Sequence, residues 1–350
     1  MDLRRLGRTD VAVSKICLGT MTFGEQNTEA EGHAQLDRAF AAGVNFLDAA
    51  ELYPIPPRAE TQGRTERIIG TWLKARGLRD QVIVATKVVG RSEMTHFRKD
   101  GSEGRLTARQ INEAVDRSLI NLQTDYIDLY QVHWPDRNVS GFGSNPTRWA
   151  DPEPVADETP IEETLGALTE LVKAGKVRHL GLSNESPWGT MSYLRAAELR
   201  GLSRVVSIQN AYNLVNRTFE SGLAEVALRE DVGLLAYSAL GQGYLTGKYR
   251  DGALPAGSRK ALFNRLQRYE KPGGEAAINA YVDLARDAGL DPSQMAIAFA
   301  LSRSFMTSVI IGATSMAQLD IALGAADLSL PEDVLARIDA LHQLHGNPCP

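Results

Sequence analysis

The chain has 350 residues, 43% hydrophobic and 23% charged, with 38 Lys and Arg against 43 Asp and Glu, a formal net charge of −5. That composition fits a folded protein with a large core and excludes dominant disorder, and the acidic balance argues against a generic nucleic-acid binder, which carries a basic excess. The two cysteines, Cys17 and Cys349, can form neither a disulfide framework nor a four-cysteine zinc site.

From the N-terminus, Met1 to Gly7 carries arginines with no apolar stretch behind them, so no targeting segment is read there. A hairpin is expected around Gly7-Arg8-Thr9-Asp10. Short apolar, β-branched runs then follow at Ile16–Leu18, Val44–Leu47, Val82–Thr86, Tyr126–Val132, Val177–Leu182, Val205–Ile208, Val232–Ala236 and Ser308–Ile311. Most are apolar throughout rather than alternating, as parallel strands covered on both faces are.

Amphipathic helices separate them. Thr107-Ala108-Arg109-Gln110 reads as a capping box, with Ile111, Val115, Leu119 and Leu122 as the buried stripe behind it. Thr159-Pro160-Ile161-Glu162 reads as a second box with proline at the first helical position. Asp291-Pro292 and Leu330-Pro331 open two more helices. The longest apolar run, Met295 to Leu301, is far short of the ~20 residues of a membrane span. The expectation is a soluble, cytoplasmic protein with no membrane or nucleic-acid partner.

Eight strands alternating with helices predict an α/β protein, a (β/α)8 TIM barrel of about 250 residues. The remainder falls to the hairpin and to long loops at 53–63, 88–106, 134–158 and 238–274, with residues 1–350 read as a single barrel domain. A doubly wound sheet lacks its signature, because Gly241-Gln242-Gly243 is followed by Gly247, one position too late for a dinucleotide fingerprint.

In such a barrel the chemistry projects from the C-terminal strand ends. Those positions hold Asp48, Lys87, His133, Ser183-Asn184, Gln209, Tyr237-Ser238 and Gly312 to Ser315, with Tyr53 just after the second strand. Each has a bland reading: Asp48 as a helix cap, Tyr53 as a packing aromatic, Lys87 as a rim lysine, His133 as a satisfied core histidine. Together they are harder to explain structurally, since a packed barrel has no need of Asp, Lys and His on consecutive strands. Asp48 and Lys87 would pair. A free phenol titrates near pH ~10, and a nearby ammonium lowers that value. The group thus reads as a general acid, Tyr53, beside a polarising donor, His133. Nothing in it is a nucleophile, so hydride from a nicotinamide is the natural complement. A Schiff-base lyase built on Lys87 is the competing enzyme class, disfavoured because Asp48 would keep the amine protonated. No close histidine pair suggests a metal site.

These residues match a known family. Leu18 to Gly24, Phe46 to Tyr53, Thr86-Lys87 and Asp128 to Pro135 resemble motifs of the aldo-keto reductases, over about Leu3 to Leu344. Asp48, Tyr53, Lys87 and His133 fill the family's four catalytic positions. Gly24 to Asn27 and the insertion Pro54 to Gly63 are similar to its bacterial Tas-like branch, near the voltage-gated potassium-channel β-subunits. The resemblance implies NADP(H)-dependent reduction of a small-molecule carbonyl. It also implies cofactor contacts at Gly19, Thr20, Met21, Asp48, Ser183, Asn184, Gln209, Tyr237, Ser238, Ala239, Leu240, Gly241, Gln242, Gly243, Leu245, Lys248, Arg259, Gly312, Thr314 and Gln318. Tyr53, His133 and Trp134 would line the substrate pocket. Two positions depart from the family: Ala322 where members often carry Asn, and Gln318 where many carry Arg. The preference for NADP over NAD therefore leans on Lys248, Arg259 and Thr314. The channel branch also implies an alternative, a redox-sensing subunit with little turnover. Specificity is expected from loops 54–63 and 134–158, where Trp134, Phe142 and Trp149 offer aromatic walls.

Overall fold

The structure is a computed structural model that describes residues 1–139, 151, 153, 155–265 and 267–350. Two strands, β1 (Leu3–Arg5) and β2 (Ala12–Ser14), form an antiparallel hairpin. Eight more follow: β3 (Ile16–Gly19), β4 (Phe46–Asp48), β5 (Ile83–Val88), β6 (Ile127–Val132), β7 (Val177–Ser183), β8 (Val205–Gln209), β9 (Gly233–Ala236) and β10 (Met306–Ile311). They pair in parallel and in chain order, and β10 closes on β3. All eight apolar runs in the sequence thus become barrel strands, with helices on the connections.

The two faces of each strand go to different places, because successive side chains alternate. Outward-facing residues such as Leu18, Leu47, Val84, Tyr130, Leu180 and Ile208 pack under the helices in the main core. Inward-facing Cys17, Phe46, Ala85, Leu129, Leu235 and Ile310 fill the barrel. Leu6 and Val13 of the hairpin join that inner layer, fully buried, so the hairpin plugs the N-terminal end of the barrel. Arg4 fastens it by donating to the carbonyls of Met306 and Leu301, at 2.7 and 2.9 Å.

Helix starts differ from expectation in two places. Thr107 caps the helix Ala108–Leu122 by accepting from the Gln110 amide, but no reciprocal bond completes a box. The Gln110 side chain is recruited by the preceding loop instead, its Oε1 accepting from Arg98 Nε at 3.0 Å and Arg105 N at 2.7 Å. The helix Ile161–Lys173 starts one residue later than read, with Pro160 as its cap and no side-chain cap bond from Thr159. Among the described residues, no helix is long and apolar enough to cross a membrane.

Candidate active site

Two residues beyond the apolar inner layer, the same alternation brings a polar layer to the barrel mouth. Phe46 leads to Asp48, Ala85 to Lys87 and Leu129 to Gln131, all buried. Ser183 and Gln209 end β7 and β8 in register with each other. Above this layer lies a cavity of about 1260 Å³.

Its floor is an ion pair. Lys87 is fully buried and donates to Asp48 Oδ2 at 2.6 Å and to the Ala49 carbonyl at 2.7 Å. The other carboxylate oxygen accepts from Gln209 Nε2 at 2.9 Å and from Gln131 Nε2 at 3.4 Å. Burial alone would push the Lys87 ammonium down, but Asp48 and then Tyr53 outweigh it and the net direction is upward. A lysine held charged is a poor Schiff-base former.

Tyr53 follows β4 on a loop tied to the strand carrying the lysine. The Glu51 amide donates to the Lys87 carbonyl at 3.1 Å, and its buried carboxylate accepts from Val89 N at 2.7 Å and from both Arg98 Nη atoms at 3.0 and 3.1 Å. The half-buried Tyr53 ring thereby sits 4.9 Å from Lys87 Nζ, centroid to atom. The pKa direction corrects the expectation. Burial raises the phenol above its ordinary value, Lys87 pulls it down, and burial wins.

His133 stands edge-on to Tyr53, ring centroids 5.8 Å apart. Burial, and after it the Lys87 cation, holds the imidazole well below its usual value, so it is neutral. Its Nδ1 is buried with no hydrogen-bond partner among the described residues. An orphan N–H there would be costlier than an orphan lone pair with no donor, which favours the tautomer with the proton on Nε2. Trp134 backs the imidazole at 4.8 Å but does not line the cavity; its Nε1 donates to the Arg91 carbonyl at 2.7 Å. Phe142 and Trp149 lie outside the described residues.

Ser183, Asn184 and Tyr237 are tied together on the next side of the cavity. Ser183 Oγ donates to the Gln209 carbonyl at 2.8 Å. Asn184 donates to the His133 carbonyl at 2.8 Å, and its Oδ1 accepts from the Tyr237 hydroxyl at 2.6 Å. Gly19, Thr20, Met21, Ser238, Ala239, Leu240, Gln242 and Gly243 also line the cavity. Gly243 has φ of +99°, and a β-carbon there would stand 2.7 Å from Lys248 Cε, so glycine lets the lysine stem lie against the turn. Leu245 and Gly241 do not line it. Leu245 is in the core, because a leucine in this tight turn has an apolar interior to fill.

Lys248 and Arg259 line the far part of the cavity, together with three cations the sequence reading missed: Arg265, Arg268 and Lys271. The acidic lining residues are Asp48, engaged by Lys87, and Asp291, which caps the helix Pro292–Leu301. Among the described residues none of the five cations forms an ion pair with an Asp or Glu side chain, and Lys271 Nζ donates to the Pro350 oxygen at 3.3 Å. Gly312, Thr314, Gln318 and Ala322 complete this end, with Gln318 Oε1 accepting from Thr314 N and Oγ1 at 3.0 and 3.1 Å. Gln131 could have been found from its spacing two before His133; the three extra cations lie in a single 3-10 turn, Gln267–Tyr269, and the irregular chain beside it, which carry no periodic signal. No group of three His, Cys, Asp or Glu among the described residues could hold a metal ion.

Comparison with known proteins agrees with this fold. The model of the Aldo/keto reductase family matches residues 15–343. The chain is 50% identical to Protein tas of Escherichia coli over the full length of both. It is 30% identical to an uncharacterized oxidoreductase of Bacillus subtilis, covering 100% of this chain and 98% of the other. It is 28% identical to versiconal hemiacetal acetate reductase of Aspergillus parasiticus, covering 95% of each.

Proposed function

The chain belongs to the aldo/keto reductase family of oxidoreductases, and on that premise we propose that it reduces aldehydes or ketones to alcohols with NADP(H), with Tyr53 as general acid. One observation carries this reading. The buried Asp48–Lys87 pair stands beside Tyr53 and His133 at the floor of a cavity whose other end holds five cations with no Asp or Glu partner among the described residues. A long dinucleotide bearing an extra phosphate fits such a cavity, neutral and polar at one end and cationic at the other.

When bound, the nicotinamide supplies hydride to the carbonyl carbon. The protein's own residues handle the oxygen. His133, neutral and protonated on Nε2, donates a hydrogen bond to the carbonyl oxygen. Tyr53 gives it a proton, and Lys87 stabilises the phenolate left behind. Asp48 holds Lys87 charged, and Gln209 and Gln131 hold Asp48. Ser183 and Asn184 offer polar groups to the carboxamide, Tyr237 offers its ring face, and Lys248 and Arg259 bind phosphate. The substrate is a small carbonyl compound, handled in the cytoplasm by a single catalytic domain. Initial rates of NADPH and NADH oxidation over a panel of aldehydes and ketones test the reading. Turnover with NADPH preferred is expected; no turnover on any carbonyl would overturn it.

A further inference from the structure

The end of the chain returns to the cavity from behind. After the helix Glu332–His345, Asn347 Oδ1 accepts from the Arg217 amide, and the Cys349 amide donates to the Val215 carbonyl at 3.1 Å. Cys349 is fully buried. Its Sγ stands 2.8 Å from where a β-carbon of Gly274 would be, so the thiol fills the space that this glycine leaves open. Lys271 Nζ donates to the Pro350 oxygen at 3.3 Å. Gly274 begins the helix Gly274–Asp287, and directly before it runs Gln267–Lys271, whose Arg268 and Lys271 face the cavity. From the other side this segment is held by Tyr269, buried, its hydroxyl accepting from Asn213 Nδ2 at 3.1 Å. Asn213 also donates to the carbonyl of the cavity residue Ser238, at 3.0 Å.

We propose that Asn347–Pro350 is a positioning strap: docked, it holds the Arg268–Lys271 wall against the cofactor, so that tail docking and cofactor binding favour each other. The inference rests on the reading of the cavity as a dinucleotide site. Reciprocity follows from linkage. If the cofactor prefers the wall in its docked position, it must also slow release of the tail. The docked thiol is a silent reporter of that release, since burial pushes Cys349 up to about 11 and undocking returns it to an ordinary, reactive value. Cys17, buried in the barrel interior, reports global opening only.

The test uses the full chain, a maleimide probe read site by site, and the dissociation constant for NADPH from fluorescence titration. Cys349 is expected to label while Cys17 stays unlabelled, and NADPH at a hundred times its dissociation constant to slow that labelling by up to about 100-fold. Gly274→Ala places a methyl against the thiol and, less tightly, 3.2 Å from the Tyr269 carbonyl oxygen, and should speed labelling and weaken NADPH about 10-fold, the worth of one charge-assisted contact. Removing the sulfur as well, in Gly274→Ala with Cys349→Ala, should restore most of the binding, a rescue that general destabilisation or the contact with the Tyr269 carbonyl alone would not give. A chain ending at Gly346 should bind NADPH as weakly as Gly274→Ala. Unchanged NADPH affinity in the shortened chain, or labelling of Cys349 indifferent to bound NADPH, overturns the strap. Failure of the unaltered chain to bind NADPH at all overturns the cofactor reading instead and takes the strap with it.

Discussion

The two ends of the cavity are built on opposite plans. At the floor every charge already has its partner: Lys87 on Asp48, Asp48 on Gln209 and Gln131, and the Tyr53 loop pinned through Glu51 and Arg98. At the far end Lys248, Arg259, Arg265, Arg268 and Lys271 face the cavity with no Asp or Glu partner among the described residues. The floor is finished before any ligand arrives, so binding there costs little reorganisation. The far end is finished by the ligand, so its attraction is spent on affinity. On the proposed function, the difference separates residues that set rate from residues that set binding.

The strongest attack on that division is Tyr53→Phe. It should lower carbonyl reduction by roughly 10²–10⁴-fold, the usual loss for a positioned acid, with the affinity for NADPH nearly unchanged by fluorescence titration. A variant that reduces carbonyls at the original rate would remove Tyr53 from the mechanism.

Lys87→Met strikes the floor at its charge. Asp48 is left buried and unpaired, which costs on the order of 3–5 kcal/mol and should appear as a lower melting temperature. It also sharpens the pH argument. In the intact site burial holds the Tyr53 phenol above its ordinary ~10 with Lys87 opposing. Reduction needs the protonated phenol, so its single-turnover rate should stay level through neutrality and fall only in alkali, while alcohol oxidation rises there. Neutral His133 adds no limb near pH 6.5. Without the cation the alkaline inflection should move higher still, and an inflection that stays put would mean Lys87 does not act on Tyr53.

At the far end, Lys248→Ala or Arg259→Ala should raise the Michaelis constant for NADPH about 10- to 150-fold, from the loss of one charge-assisted bond, and that for NADH far less. Equal losses for both would place these cations on the pyrophosphate or on the fold. The smallest effect lies outside the cavity. Glu66 is fully buried with hydrogen bonds from Thr86 Oγ1 at 2.7 Å and Asn121 Nδ2 at 3.1 Å, and burial raises its carboxyl. A raised folded-state value means stability that is present below the unfolded value of 4.5 and is lost as pH rises through the folded one. Glu66→Gln should therefore flatten the fall of melting temperature above pH 4.5, and an unchanged pH profile would show that Glu66 is ionised at no cost.

The barrel was legible because parallel strands covered on both faces must be apolar almost throughout, and no helix start is needed to see that. Asp48, Lys87 and His133 were legible for a related reason: a charge at the end of such a run has no structural excuse. Arg98 and Arg268 were not, because only tertiary folding brings the first to Glu51 and the second to the cavity. The direction of the Tyr53 shift was misjudged because spacing gives the neighbouring ammonium but not the depth of burial that opposes it. Leu245 shows the same limit in reverse, where a residue beside cavity-lining neighbours turns its side chain to the core.

The hairpin plug at the other end of the barrel has a kinetic consequence. With Leu6 and Val13 closing that side, whatever reaches the floor arrives and departs through the doorway on the cavity side. Of two ligands that share the doorway, the deeper must enter first and leave last. Product inhibition should then show an ordered pattern, and which product competes with which substrate reads out which of the two lies deeper.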